Sequence, residues 1–162
     1  MPIALSVLLT LTLSGCFMSD PEPLLFGVRV TGGKVEVKLP VCKDEQIVEI
    51  TAYLPEPPQD VLFEAAGPAG TASSDGSFTL WQDGAWKADG FPSRKVDQTR
   101  TELPDVLDVG YLDSKGGKAG DALNLKAAAA AAPPDGSYWT RRGIRTAKAI
   151  DDQLKCSSPN AG

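Results

Sequence analysis

Histidine is missing from all 162 residues. Its absence removes Ser/His/Asp and Cys/His catalytic sets, HExxH metal sites and any imidazole proton shuttle near neutral pH. Basic residues are outnumbered, 16 Lys and Arg against 21 Asp and Glu, giving a formal charge of −5. A pI of about 4.7 leaves no concentrated positive surface for phosphates, so nucleic acid is not an expected partner. No apolar stretch reaches the roughly 20 residues that cross a bilayer. The D-x-[DN]-x-[DN]-G calcium loop is absent, and the three cysteines include no CxxC pair. Neither a metal nor another cofactor is expected. Lys115-Gly116-Gly117-Lys118-Ala119-Gly120 fails the GxxxxGK[ST] spacing of a phosphate loop and reads as a glycine-rich turn with two solvated lysines.

The N-terminus is the most informative segment. Ile3 to Leu13 is an apolar run too short to span a membrane but of the right length for the hydrophobic region of a secretory signal. It ends in Leu13-Ser14-Gly15-Cys16, which resembles the bacterial lipobox, where small residues precede a cysteine. The resemblance implies that the Cys16 thiol receives a diacylglycerol group and that residues 1–15 are removed as a signal peptide. Met1 and Pro2 lack the Lys or Arg that normally opens a signal, which leaves room for a start farther upstream. Two acyl chains anchor a protein stably where one is marginal, at about 0.8 kcal/mol per buried methylene. The expectation is a chain held to the membrane through lipidated Cys16, on the extracellular face. Residues 16–23, in which Pro21 and Pro23 sit beside Asp20 and Glu22, read as a flexible tether.

Once Cys16 is acylated, Cys42 and Cys156 remain, and an exported domain folds in an oxidising compartment. They are expected to pair. Such a bridge closes most of the domain into one loop, and chain entropy puts its stabilisation at about 5 kcal/mol at most.

Between these cysteines the periodicity is that of strands, which predicts a mainly β domain over residues 24–156 followed by a flexible tail over 157–162. Phe26, Val28 and Val30 alternate with Gly27, Arg29 and Thr31; Gly32-Gly33 permits a tight turn; Val35, Val37 and Leu39 then alternate with Glu36 and Lys38. From Gln46 to Leu54 the pattern puts Val48, Ile50, Ala52 and Leu54 on one face. Further runs lie at Val61 to Ala65, Ser77 to Trp81, Val106 to Leu112 and Ala122 to Lys126. Many short strands between turn signals suggest a two-sheet β-sandwich, immunoglobulin-like in outline. Gly67 to Gly76 reads as a loop, and Ser93 to Glu102 as a polar connection. Ala127 to Ala132 makes a helical turn or two that Pro133-Pro134 ends. A short C-terminal helix, capped by Thr146 and sharing a face of Ala147, Ile150 and Leu154, would carry Cys156 to its partner.

Tyr138-Trp139-Thr140-Arg141-Arg142-Gly143 is the densest chemical cluster. Aromatic faces beside guanidinium groups can stack a sugar or grip an anionic polymer, although Tyr and Trp in a small sandwich are usually core residues. Trp81 and Trp86 flank Gln82-Asp83-Gly84-Ala85, a hairpin turn with one aromatic on each arm. They would serve either as a paired-Trp platform or as cross-strand packing. Asp105, Asp108, Asp113 and Asp151-Asp152 are read as solvated surface; a glycosidase would need two carboxylates facing each other.

The stretch from Gly27 through Val37 and Cys42, the Phe78-Thr79-Leu80-Trp81 strand, Tyr138-Trp139-Thr140 and Ile150 to Cys156 resemble small uncharacterised lipoproteins of high-GC Gram-positive bacteria. That resemblance implies the outer leaflet of the cytoplasmic membrane and no particular reaction. The function expected is binding, with a cell-wall glycan, a small ligand or an envelope protein as partner. A carboxylate-based glycan hydrolase and a structural subunit of an envelope complex are the alternatives.

Overall fold

The computed structural model describes residues 22–57, 59–67 and 75–156. Residues 1–15, Cys16 with most of its tether, the middle of the Gly67 to Gly76 loop and the 157–162 tail lie outside them. Strands form where apolar side chains alternate with polar ones. In chain order these are β1 (Gly27–Thr31), β2 (Lys34–Lys38), β3 (Ile47–Tyr53), β4 (Val61–Ala66), β5 (Ser77–Gln82) and β6 (Ala85–Trp86). There follow β7 (Ser93–Val96), β8 (Val106–Asp113), β9 (Lys118–Asn124), helix α1 (Leu125–Ala131), β10 (Ser137–Thr140), β11 (Gly143–Thr146) and helix α2 (Ala147–Asp151).

The strands make two antiparallel sheets, one of six in the order β11-β10-β1-β2-β5-β6 and one of five in the order β7-β4-β3-β8-β9. The protein is a two-sheet β-sandwich. Hairpins alternate between the sheets, and the six-stranded sheet is completed by pairing β1 with β10, Val28 opposite Trp139, across most of the chain. Gly32 and Gly33 both take positive φ, +55° and +78°, the left-handed turn that suits the twist of β1 and β2. Phe26, Val28, Val35 and Val37 from one sheet meet Ile50, Ala52, Phe63 and Leu107 from the other, all buried. Two aromatic pairs bridge the layers: Phe63 stacks on Trp86 at 5.8 Å, and Phe26 tilts against Tyr111 at 5.6 Å.

The structure departs from the sequence pattern in five places. A register shift in β3 between Ile47 and Glu49 turns Ile47 into the core and leaves Val48 half-buried, which a strict period of two does not foresee. Ser93 to Val96 is an edge strand, not a connection; its exposed Ser, Arg and Lys side chains carry no apolar alternation, and backbone pairing to β4 alone makes it a strand. Lys118-Ala119-Gly120 belongs to β9, so the turn is confined to Ser114 to Gly117. β9 stops at Asn124, whose side chain accepts from the Ala127 amide at 2.8 Å and starts α1 two residues ahead of the alanines. Leu154 lies beyond α2, which ends at Asp151, so only Ile150 is buried on that helix.

Thr146 does cap α2, accepting from the Ala149 amide at 3.2 Å, and Cys42 and Cys156 are joined in a disulfide. The helix lies on the outer face of the six-stranded sheet, where Gly27 leaves room for it. A Cβ at Gly27 would come within 2.5 Å of Ile150 Cδ1 and 2.6 Å of Tyr138 Cβ. Gly27→Ala is therefore expected to destabilise the fold by about 1–3 kcal/mol through overpacking. Urea unfolding checks it, and an unchanged midpoint would show that the helix does not rest on this glycine.

Candidate functional site

The aromatic residues singled out in the sequence do not form one surface. Trp81 and Trp86 sit opposite each other on β5 and β6, as the hairpin reading requires, but they are only 5% and 8% exposed. Their rings meet edge to face at 5.1 Å inside the core. They are cross-strand packing, and the exposed paired-Trp platform is excluded. Tyr138 and Trp139 are successive residues of a strand and so point to opposite faces. Trp139 packs half-buried against the core, whereas Tyr138 leans over Gly27 with its hydroxyl 3.5 Å from Ser77 Oγ. Arg141 is engaged within the molecule, donating to the Asp121 carboxylate and, at 2.9 Å, to the Pro23 carbonyl.

Two buried polar groups escaped the sequence reading. Asp121 lies on the inward side of β9, where its carboxylate accepts from the Phe26 amide at 3.0 Å as well as from Arg141. Lys38 is 1% exposed and donates to the Leu39 carbonyl at 2.8 Å, to the Asp75 carbonyl at 2.6 Å and to Asp151. Asp151 also accepts from the Val41 amide at 3.1 Å, so it joins α2 to the start of the disulfide loop instead of being solvated surface. Lys38 alternates as an outward polar residue would, whereas Asp121 shares the inward face of β9 with Leu123, a parity that its carboxylate disguises. Only the elements laid over Lys38, invisible in local pattern, make it interior.

One surface shaped to receive a ligand is the outer face of the five-stranded sheet. Register aligns Thr51 of β3 with Gly110 of β8 and Gly120 of β9, so two adjacent positions in one row have no side chain. The neighbouring rows stand higher, Tyr53 with Asp108 and Ala122 on one side, Glu49 with Leu112 and Lys118 on the other. A trough of about 390 Å³ results, lined by Tyr53, Thr51, Glu49, Gln59 and Lys118 among others. The Tyr53 hydroxyl reaches toward Gly120, 4.0 Å from where a Cβ would stand. A half-buried aromatic, a hydroxyl, an amide, a carboxylate and an ammonium thus converge on one concavity, the usual composition of a site for a polar ligand. Arg94 sits 3.6 Å from Glu49 and 3.7 Å from Glu64 at the edge strand, steadying that side.

Among the described residues Glu49 is the single carboxylate lining the trough, where glycoside hydrolysis uses two. Asp108, on the same outer face, is raised above 3.8 by burial, with the charge of Asp121 adding to it. Asp121 is also raised by burial, against the lowering pull of the Phe26 amide and Arg141, but it faces inward and is fully engaged. The two carboxylates therefore do not meet across a cavity.

Glu36 behaves oppositely. Burial would raise it, but hydrogen bonds from Lys34 and Arg29 hold it below 4.5. For the raised aspartates the native state binds the proton more tightly, so their contribution to stability declines as pH rises from 3.8 through their native values. For Glu36 the contribution is present above 4.5 and is lost as pH falls through its native value. Carboxyl-carbon NMR titration should place the Asp108 midpoint above 3.8 and the Glu36 midpoint below 4.5; the reverse order would contradict these environments.

A larger cleft of about 810 Å³ opens beside the disulfide, between Val41, Lys43, Leu154 and Lys155. Cys42, Asp44 and Glu45 approach one another there closely enough to suggest a metal, but the Cys42 sulfur is consumed by its bond to Cys156 and is no thiolate ligand.

No protein-family model, curated protein or solved structure matches this chain. The trough and the buried network therefore stand on their own geometry.

Proposed function

We propose that this protein is a lipid-anchored domain on the extracellular face of a bacterial membrane and that it works by binding. The observation that carries this reading is the division of the cysteines. Cys42 and Cys156 are consumed by a disulfide, which belongs to an oxidising compartment, and this leaves Cys16 alone behind its apolar run and small residues. A thiol at that position suits acylation. No helix among the described residues is long and apolar enough to cross a membrane.

The trough on the five-stranded sheet supplies the binding surface. Tyr53 would offer a ring on which a sugar stacks, while Glu49, Thr51 and Gln59 would supply donors and acceptors for its hydroxyls, so a cell-wall glycan is the partner its chemistry suits best.

Intact-mass analysis of the exported product tests the anchor. It should show cleavage before Cys16 with fatty acyl chains added, and Cys16→Ser should release the protein from the membrane fraction or leave it unprocessed. A processed product without acyl chains contradicts the anchor. Titration with purified wall polymer tests the trough: Tyr53→Ala should weaken binding at least about ten-fold, the loss of about 1.4 kcal/mol of contact energy. Absence of binding at high micromolar concentration, alongside hydrolysis of a wall substrate, would replace this reading with the hydrolase.

A further inference from the structure

The chain enters the domain pinned to one edge of it. Arg142 grips the Glu22 carboxylate with its two terminal guanidinium nitrogens, at 2.9 and 3.1 Å, and Arg141 donates to the Pro23 carbonyl at 2.9 Å. Gln153 then clamps Leu25, accepting from its amide at 2.8 Å and donating to its carbonyl at 3.0 Å. Residues 22–25 are thus tied to the β10–β11 hairpin and to the turn after α2. Cys16 precedes Glu22 by six residues. Whatever path those residues take, six residues reach at most about 21 Å.

That same edge carries the chemistry of a bilayer contact. β11 is the outermost strand of its sheet, and all four of its residues are exposed. Ile144 at its centre is 48% exposed, the one exposed large hydrophobic among the described residues. Arg141, Arg142, Arg145 and Lys148 lie within four residues of it along the chain, Arg145 on the opposite face of the strand, in a protein whose overall charge is −5. Arg141 is bound to Asp121, Arg142 to Glu22 and Lys148 to Asp152. The last two pairs are exposed, and such pairs hold weakly in water. Arg145 has no carboxylate within 4.0 Å among the described residues.

We infer that the β11 edge, with Arg142, Ile144, Arg145 and Lys148, rests on the anionic surface of the membrane that holds Cys16. This rests on the proposed acylation and adds an orientation to it: Ile144 enters the headgroup region and the guanidinium groups meet lipid phosphates. The short reach from Cys16 keeps that edge close to the surface, and the salt-weak pairs to Glu22 and Asp152 can exchange for phosphate at little cost.

The test uses the processed, acylated protein reconstituted in vesicles of phosphatidylcholine, with or without about one-third brominated phosphatidylglycerol. With Ile144→Trp, the added indole should be quenched by brominated lipid in the anionic vesicles. Adding Arg142→Glu and Arg145→Glu should remove that quenching, because each basic residue at an anionic surface is worth roughly five-fold in contact population, while the vesicle-bound fraction stays unchanged. Acylated, vesicle-bound protein whose residue-144 indole is not quenched overturns the orientation alone and points to a protein partner for the edge. A product without acyl chains overturns the anchor and the orientation together.

Discussion

Removing the Cys42–Cys156 bridge should lower the free energy of unfolding by about 3–5 kcal/mol, the largest effect expected of any single covalent change in this protein. The two residues are 114 apart in sequence, so the bond removes from the unfolded chain a loop holding most of the domain. On the folded side it ties the segment after α2 to the loop after β2, and α2 has few other attachments: Ile150 in the niche at Gly27, Asp151 on Lys38 and Gln153 on Leu25. The paired variant Cys42→Ala with Cys156→Ala, unfolded in urea beside the native protein, measures the effect. A loss below about 1 kcal/mol would mean that the packing of α2 already supplies the restraint. Hydrogen exchange should show α2 opening before the core strands once the bridge is gone, because its buried contacts are the fewest.

Replacing Asp151 with Ala should cost about 3 kcal/mol, since it leaves the Lys38 ammonium buried without its counter-charge. Lys38 keeps only the carbonyls of Leu39 and Asp75, which satisfy two of its three donors without neutralising it. The informative comparison is the double variant Lys38→Met with Asp151→Ala. Met has nearly the reach of the lysine stem and carries no charge, so at least half of the lost stability should return. Asp151 is 34% exposed at its side chain, which is why Lys38→Met alone should be the milder single change: the carboxylate left behind can still be solvated. Equal costs for the two single variants, or no recovery in the double, would show that the pair acts through hydrogen bonding to the Val41 amide and the two carbonyls.

Much of the β-sandwich could be read from residues 26 to 54 and from the short apolar runs beyond them, because a half-buried strand must alternate and its turns must carry Gly, Asp or Pro. The hairpin at Gly32-Gly33, the Trp81/Trp86 hairpin, the two helices and the Cys42–Cys156 pair are all local or count-based signals of this kind. β7 was not legible, because an exposed edge strand buries nothing that would mark it. The displacement of Val48 by Ile47 was hidden for a related reason: a bulge breaks the period by one residue and is set by pairing to β8. The trough was out of reach entirely. Gly110 and Gly120 are ordinary strand glycines in sequence, and only the β8–β9 register sets them side by side beneath Tyr53.

Composition and order along the chain, by themselves, determined the absence of histidine chemistry, the acidic balance and the strand periodicity, since each is a property of residues near one another or of their total. Tertiary structure decided which side chains lie inside. Lys38 is interior only because α2 is laid across it, Asp121 because β9 turns it inward against the Phe26 amide, and Trp81 and Trp86 are core because both sheets close over their hairpin. Burial is a relation between distant segments, so no local pattern carries it.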